Sequence, residues 1–454
     1  MVRIIGGGLA GCEAAWQIAS RGIAVELFEM RPVRATAVHK TDRLAELVCS
    51  NSFRGDKLDN AVGLLKEEMR SLGSIVMRCA EEARVPAGAA LAVDRERFSQ
   101  RLTDAMASHP RVTIRREEVT RIPDGSAAHP VIVATGPLTS DALSADIVRL
   151  VGGAHLYFYD AISPIVLAES IDRAKVFRQS RWDRSIGPAA ETCGADDGRG
   201  DYLNCPLTRE EYERFYEALI HAESATVHDF DKEKFFEGCL PIEVMAHRGA
   251  DTLRFGPMKP VGLVDPRTGR TPYAVVQLRQ DNLAADHFSL VGFQTQLKWS
   301  EQARVLRLIP GLEQAEFVRY GMVHRNTYVN GPTVLTETWQ LRQHPFIFFA
   351  GQMSGVEGYV ESAASGLLAG LNAAALVAGA ATSAPPRSTA IGALAYYASH
   401  ADPAHYVPSN ITFGIMEPLD PGAGRVPRGK AERKLAMAER ALAALDVWLR
   451  GRAA

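Results

Sequence analysis

Near its start the chain runs Ile4-Ile5-Gly6-Gly7-Gly8-Leu9-Ala10-Gly11, and the next apolar stretch, beginning at Ile23, ends on Glu29. The first run reads as a strand, the residues after the glycines as a helix near Gly11–Arg21, and Ile23–Glu29 as a second strand. Gly6, Gly8 and Gly11 then occupy a G-x-G-x-x-G turn in the strand–turn–helix–strand setting that this motif requires. A helix that starts there offers unpaired N–H groups to an anion, and the glycines let a pyrophosphate approach the backbone. Glu29 falls close to the ~20-residue offset at which a carboxylate accepts hydrogen bonds from a ribose. This feature commits the start of the chain to a parallel α/β fold and to a bound dinucleotide.

Two later segments fit the same sheet. Val131-Ile132-Val133-Ala134-Thr135-Gly136-Pro137 and Phe346-Ile347-Phe348-Phe349-Ala350-Gly351-Gln352 are apolar runs ending in glycine, the pattern of buried parallel strands. Val112–Arg115 reads as another strand. Helical spacing marks Ala61–Leu72, Asp94–Ala107, about Tyr359 to Ala378, and the amphipathic Lys430–Leu449. Between Tyr157 and about Arg319 the text becomes mixed strand and helix, rich in aromatics, Pro and Arg. The expected architecture is therefore α/β: a glutathione-reductase-type FAD-binding Rossmann domain (1–155 and 320–454) with an inserted α+β domain (156–319). Gly136, Gly351, Gln352 and Gly355 join the glycine turn as expected cofactor-binding residues. A late helix starting near Gly355–Tyr359 points its positive end at a flavin and favours negative charge there. No second G-x-G-x-x-G occurs downstream, so a separate NAD(P)H domain is not expected.

With 454 residues and 46% hydrophobic content, the chain can build a large core. Its formal net charge of -2 supplies no global field for nucleic acid or membrane, so RNA contact requires a local basic face. Arg173, Lys175, Arg178, Arg181 and Arg184 form one such run, with Trp182 available for base stacking; each is equally readable as a solvated charge. The six cysteines form no C-x-x-C pair and no zinc spacing, so no metal is expected and a reducing cytoplasm fits. The first apolar run is the first strand rather than a leader. No apolar stretch approaches the ~20 residues that span a bilayer.

Cys49 lies in Glu46-Leu47-Val48-Cys49-Ser50-Asn51-Ser52, and Cys239 in Phe236-Glu237-Gly238-Cys239-Leu240-Pro241-Ile242-Glu243. Both settings are loop-like, where a thiol can meet a substrate; a buried inert thiol is the other reading. A dithiol reductase uses closely spaced cysteines, and Cys49 has no near partner.

These two motifs, with Leu253-Arg254-Phe255-Gly256-Pro257-Met258-Lys259-Pro260-Val261-Gly262-Leu263 and His324-Arg325-Asn326-Thr327-Tyr328-Val329-Asn330, resemble the signatures of the TrmFO (Gid) family of folate- and FAD-dependent tRNA uracil-5-methyltransferases. The resemblance runs over nearly the whole chain and loosens after about residue 380. It implies FAD, methylenetetrahydrofolate as one-carbon donor, NADPH or NADH as reductant and a tRNA T-loop uridine as target, with no obligate protein partner. It also implies Cys239 as the thiolate that adds to uracil C6 and Cys49 as a second cysteine near the flavin; the two roles are open to exchange. Glu243, His324 and Tyr328 are candidates for the base that takes the C5 proton. Three other readings remain open: an NAD(P)H-dependent flavin oxidoreductase acting on a small acceptor, methylation of a ribosomal RNA uridine, and an RNA-binding protein whose FAD is structural.

Overall fold

The computed structural model describes the chain except residues 37, 153–155, 162, 185–199, 225–239, 322, 421–426 and 454. Its central sheet has five parallel strands in the order Ile347–Phe349, Val131–Val133, Val2–Ile5, Val25–Phe28 and Val112–Arg115. The first 30 residues thus form the expected βαβ unit around the Leu9–Ala19 helix. The late strand pairs with Val131–Val133 across more than 200 residues of intervening chain. The strand from Val131 is shorter than its apolar run: it stops at Val133, and Gly136–Leu138 forms a helical turn. Gly136 turns the backbone to φ +67° and Pro137 has no N–H to give to a neighbouring strand.

Some helices start where the sequence supplies a cap. Asp94 accepts the Arg97 N–H at the start of Arg95–Ser108, and Ser74 accepts the Met77 N–H at the start of Ile75–Glu82. The Tyr359–Val377 helix is packed tightly against Leu9–Ala19. A Cβ at Gly366 would stand 2.1 Å from the Ala10 carbonyl oxygen, and one at Gly370 would stand 2.8 Å from the Ala14 Cα. Among the described residues this is the one helix long and apolar enough to cross a membrane, and 78% of its apolar window is buried inside the fold.

A second, six-stranded antiparallel sheet is drawn from residues 165–319, with Ala274–Gln280 and His287–Leu290 at its centre and Tyr202–Leu207 beside them. It has its own core, including Phe215, Phe288 and Phe293. The Arg209–Ile220 helix against this core begins with a reciprocal Thr208–Glu211 capping box. An antiparallel ribbon of Leu156–Ala161 with Val323–Tyr328 stands beside the two sheets.

Candidate functional site

The carboxyl ends of the parallel strands open into a cleft of about 1070 Å³, counted to its mouth. Gly6, Gly8, Glu29, Gly136, Gly351 and Gln352 all line it, so residues from four separated segments meet as the sequence predicts.

Each glycine has a distinct reason. At Gly6, with φ +109°, a Cβ would stand 2.4 Å from the Ala134 carbonyl oxygen, so the turn passes too close to the next strand for any side chain. At Gly8 and Gly136 a Cβ would meet nothing within 4 Å: these glycines keep space open along the cleft wall. An open cradle beside a helix N-terminus is what a pyrophosphate needs, so the residues fit a dinucleotide. Gly11 and Gly355, expected as cofactor-binding, are not among the lining residues. A Cβ at Gly11 would sit 1.8 Å from the Gly6 carbonyl oxygen, and one at Gly355 would sit 2.0 Å from the Tyr406 hydroxyl. Gly11 thus packs closely against the turn and Gly355 against the Tyr406 ring.

Glu29 is fixed before any ligand arrives. Its Oε1 accepts the Arg31 backbone N–H at 3.0 Å and Nε at 2.9 Å; its Oε2 accepts the Gly7 N–H and the Arg31 Nη2, both at 3.2 Å. Burial alone raises the carboxyl pKa, but the bonds and charge of Arg31 outweigh it and hold Glu29 below the ordinary carboxylate range. Arg31 is tied in turn to Glu46 Oε2 at 3.2 Å and to the Thr41 carbonyl at 3.1 Å.

Beside the cleft, the Cys49 loop is gripped by side chains from two helices and from the antiparallel sheet. Val48 and Tyr359 line the cleft. The Tyr359 hydroxyl accepts the N–H groups of Cys49 at 2.8 Å and Ser50 at 3.2 Å. Burial, and secondly the neighbouring Cys49, push this phenol well above its usual range, so it stays neutral. Three arginines converge on the same loop. Arg95 donates to the Leu47 carbonyl at 2.9 Å and pairs with Asp281 at 3.0 Å. Arg279 donates to Asn51 Oδ1 and Ser50 Oγ, both at 2.8 Å, and Arg319 donates to the Val48 carbonyl. Asn51 donates to the carbonyls of Val93 and Gln280 at 3.0 Å. Every residue from Leu47 to Asn51 is thereby held through a backbone or side-chain polar atom. Arg95, Arg279, Arg319 and Tyr359 do not stand out in the sequence, apart from one signal. Arg279 interrupts Ala274–Gln280, a strand buried throughout, where a charge demands a partner.

Cys239 lies outside the described residues. Just beyond it, the buried Glu243 accepts the Thr295 hydroxyl at 2.8 Å and the Gln296 N–H at 2.7 Å, and burial pushes its pKa up to about 7. Tyr328 is buried against Tyr406, with ring centroids 6.2 Å apart. In the basic run, Lys175 pairs with Glu313 at 2.7 Å and Arg173 lies over the Phe288 ring.

A parallel sheet with a glycine turn, a fixed carboxylate after the second strand and a late strand and helix that complete the cleft defines a dinucleotide-binding α/β protein. Residues 1–381 match the family described as glucose inhibited division protein A, and the chain belongs to that family, in its TrmFO branch. It is 58% identical over 445 residues to methylenetetrahydrofolate--tRNA-(uracil-5-)-methyltransferase TrmFO of Pelotomaculum thermopropionicum, covering 98% of this chain and 97% of that one. The protein of the same name from Desulforudis audaxviator is 58% identical over 450 residues, covering 99% and 98%. Among solved structures, Aquifex aeolicus GidA in its form I crystal superposes with a TM-score of 0.66 at 18% identity, over 98% of this chain and 76% of that one. That likeness extends to the fold.

Proposed function

We propose that this chain methylates C5 of a uracil in tRNA, taking the carbon from methylenetetrahydrofolate and holding FAD in the cleft. The observation that carries this is the near-full-length identity to the TrmFO proteins together with a cleft whose glycines leave room for a dinucleotide. Gly6, Gly8 and the N-terminus of Leu9–Ala19 would hold the pyrophosphate, and Glu29 the ribose. Bound and reduced, FAD supplies the two electrons that take a carbon at the formaldehyde oxidation level to a methyl group. The Tyr359–Val377 helix turns its N-terminal end, Tyr359 and Ser362, toward the cleft and favours negative charge there.

Uracil C5 is a poor nucleophile, which is why a thiol is needed. A Cys239 thiolate forms an S–C6 bond and shifts the ring's electron pair to C5, which then bonds to the folate-borne carbon. The C5 proton leaves to a base, and the bond from the transferred carbon to the folate nitrogen breaks to release tetrahydrofolate. The exocyclic methylene so formed takes up a hydride equivalent to become the methyl group, and breaking of the S–C6 bond restores the C5–C6 double bond. Cys49 stands next to the cleft-lining Val48 and serves the cofactor side of the same reaction. The target is the T-loop uridine, NADPH or NADH is the reductant, and the cytoplasm, where tRNA is handled, is the place of action.

The test is methyl transfer from labelled methylenetetrahydrofolate to an unmodified tRNA transcript with NADPH or NADH, against a transcript mutated at the T-loop uridine. Label on the first alone is the expected result. No label, with the flavin still bleached by NAD(P)H, overturns the tRNA reading and leaves ribosomal RNA or a small acceptor. Cys239→Ala is expected to lose methylation and keep FAD; substantial activity in that variant overturns its role as nucleophile.

A further inference from the structure

Trp182 and Asp183 are consecutive non-glycine residues in the left-handed region, at φ 52° and 51°. Such a conformation is strained for a residue with a side chain and persists only where the surroundings impose it. Here they do. The Trp182 N–H donates to the Gly262 carbonyl at 2.9 Å, and the Asp183 N–H donates to the Ser180 carbonyl at 3.0 Å. Arg181 donates to the Val261 carbonyl at 2.7 Å and to Gln277 Oε1 at 3.0 Å. The side chain so presented is nonetheless 56% exposed, between Val261 and Val264, each 47% exposed. Its indole rests on Gly262, where a Cβ would stand 2.8 Å from the ring. The Arg184 guanidinium lies 5.6 Å from the ring centroid, and Lys259 is exposed on the same loop as Gly262. Asp183, the nearby acid, accepts from the Gln179 amide at 3.3 Å.

The position of this turn matters as much as its shape. Gln277, which anchors Arg181, is two residues before Arg279, which holds Ser50 and Asn51. Residues two apart on a strand share a face and are separated by about 7 Å. The exposed indole is therefore built onto the same sheet face that fixes the Cys49 loop.

We propose that Trp182 is a stacking platform for an unpaired base of the tRNA substrate, on a turn anchored to the sheet face that also holds the Cys49 loop; this rests on the function proposed above. A strained backbone that displays a flat ring, backed by Gly262, with the Arg184 guanidinium over it and Lys259 exposed on the Gly262 loop, has the chemistry that recognises a looped, unstacked RNA strand.

The test uses the full chain with FAD and an unmodified tRNA transcript, measuring Kd across a salt series and KM for each substrate. Trp182→Ala is expected to weaken tRNA binding roughly 10- to 100-fold, the effect of losing one base stack, while the slope of log Kd against log salt is unchanged because no phosphate contact is lost. Trp182→Tyr keeps a stacking ring and is expected to stay within a few-fold of wild type. Unchanged tRNA affinity in Trp182→Ala overturns the proposal, as does a Tyr variant as weak as the Ala variant. A rise in KM for methylenetetrahydrofolate alone overturns it too, because the ring then serves a pterin. A wild-type chain that does not methylate tRNA overturns the proposed function and this inference together; wild-type methylation with an indifferent Trp182→Ala overturns this inference alone.

Discussion

The dinucleotide cleft and the Cys49 loop adjoin each other but are made rigid in opposite ways. The cleft is built from backbone: Gly6 lies against Ala134, Gly11 against Gly6, and Gly8 leaves a gap. The loop is built from side chains, with Arg95, Arg279, Arg319 and Tyr359 reaching it from elements far away in sequence. Backbone construction tolerates almost no added atom but needs no partner from elsewhere. Side-chain construction tolerates local change but fails when one distant donor is lost.

The sharpest way to break this contrast is Gly6→Ala, which combines a left-handed φ with a collision against backbone. It is expected to cost about 3 kcal/mol or more and to yield protein without FAD; urea unfolding and flavin absorbance would record both. Next comes Arg279→Ala, which strips two hydrogen bonds from the buried Asn51 and Ser50. A loss of about 2–3 kcal/mol is expected, with methylation failing while FAD stays bound. Arg279→Lys is not expected to restore activity, because the two bonds leave from Nε and Nη2 of one planar fork. If FAD is lost in step with activity, the cleft and the loop are one unit and the contrast collapses.

Gly8→Ala sharpens the comparison from the other side. Its methyl group meets no protein atom within 4 Å, so stability without FAD should stay within about 0.5 kcal/mol of wild type. FAD affinity should drop at least about tenfold, since the methyl enters the space a phosphate needs; a variant that binds FAD normally removes Gly8 from the cradle. The smallest effect concerns pH. Because Arg31 holds the Glu29 pKa below that of the unfolded carboxyl, its contribution is fully present above the ordinary carboxylate range. It is lost only as pH falls through the lower folded value. FAD retention should be flat from pH 8 to about 5 and decline below that; in Arg31→Met the decline should begin at higher pH.

How much was legible follows the same division. The βαβ unit, Gly6, Gly8, Glu29 and the late strand with its helix were readable because each is a local pattern with a fixed spacing. Gly11 and Gly355 were recognised as special, and the structure adds that both are closely packed, which a sequence does not say, since it does not distinguish a glycine that admits a ligand from one that admits a neighbouring backbone. The arginines of the Cys49 loop were not readable. An antiparallel sheet brings Arg279 and Arg319 to within bonding distance of residues more than 200 positions earlier, and in the sequence only Arg279, set inside an otherwise uncharged strand, hints at a buried partner. The run from Arg173 to Arg184 shows the converse: Lys175 and Arg181 are tied to protein groups, while Trp182 stands displayed beside Arg184.

The close fit of Leu9–Ala19 against Tyr359–Val377 also sets a schedule for the growing polypeptide. The two helices begin 350 positions apart, so at about 5–20 residues per second on the ribosome the first waits roughly 20–70 s for its partner. Throughout that interval Ala10 and Ala14 lack the glycine stripe they pack against, and the cleft lacks Gly351, Gln352 and Tyr359. Flavin loading is therefore an event of the nearly finished protein rather than of its nascent amino-terminal third.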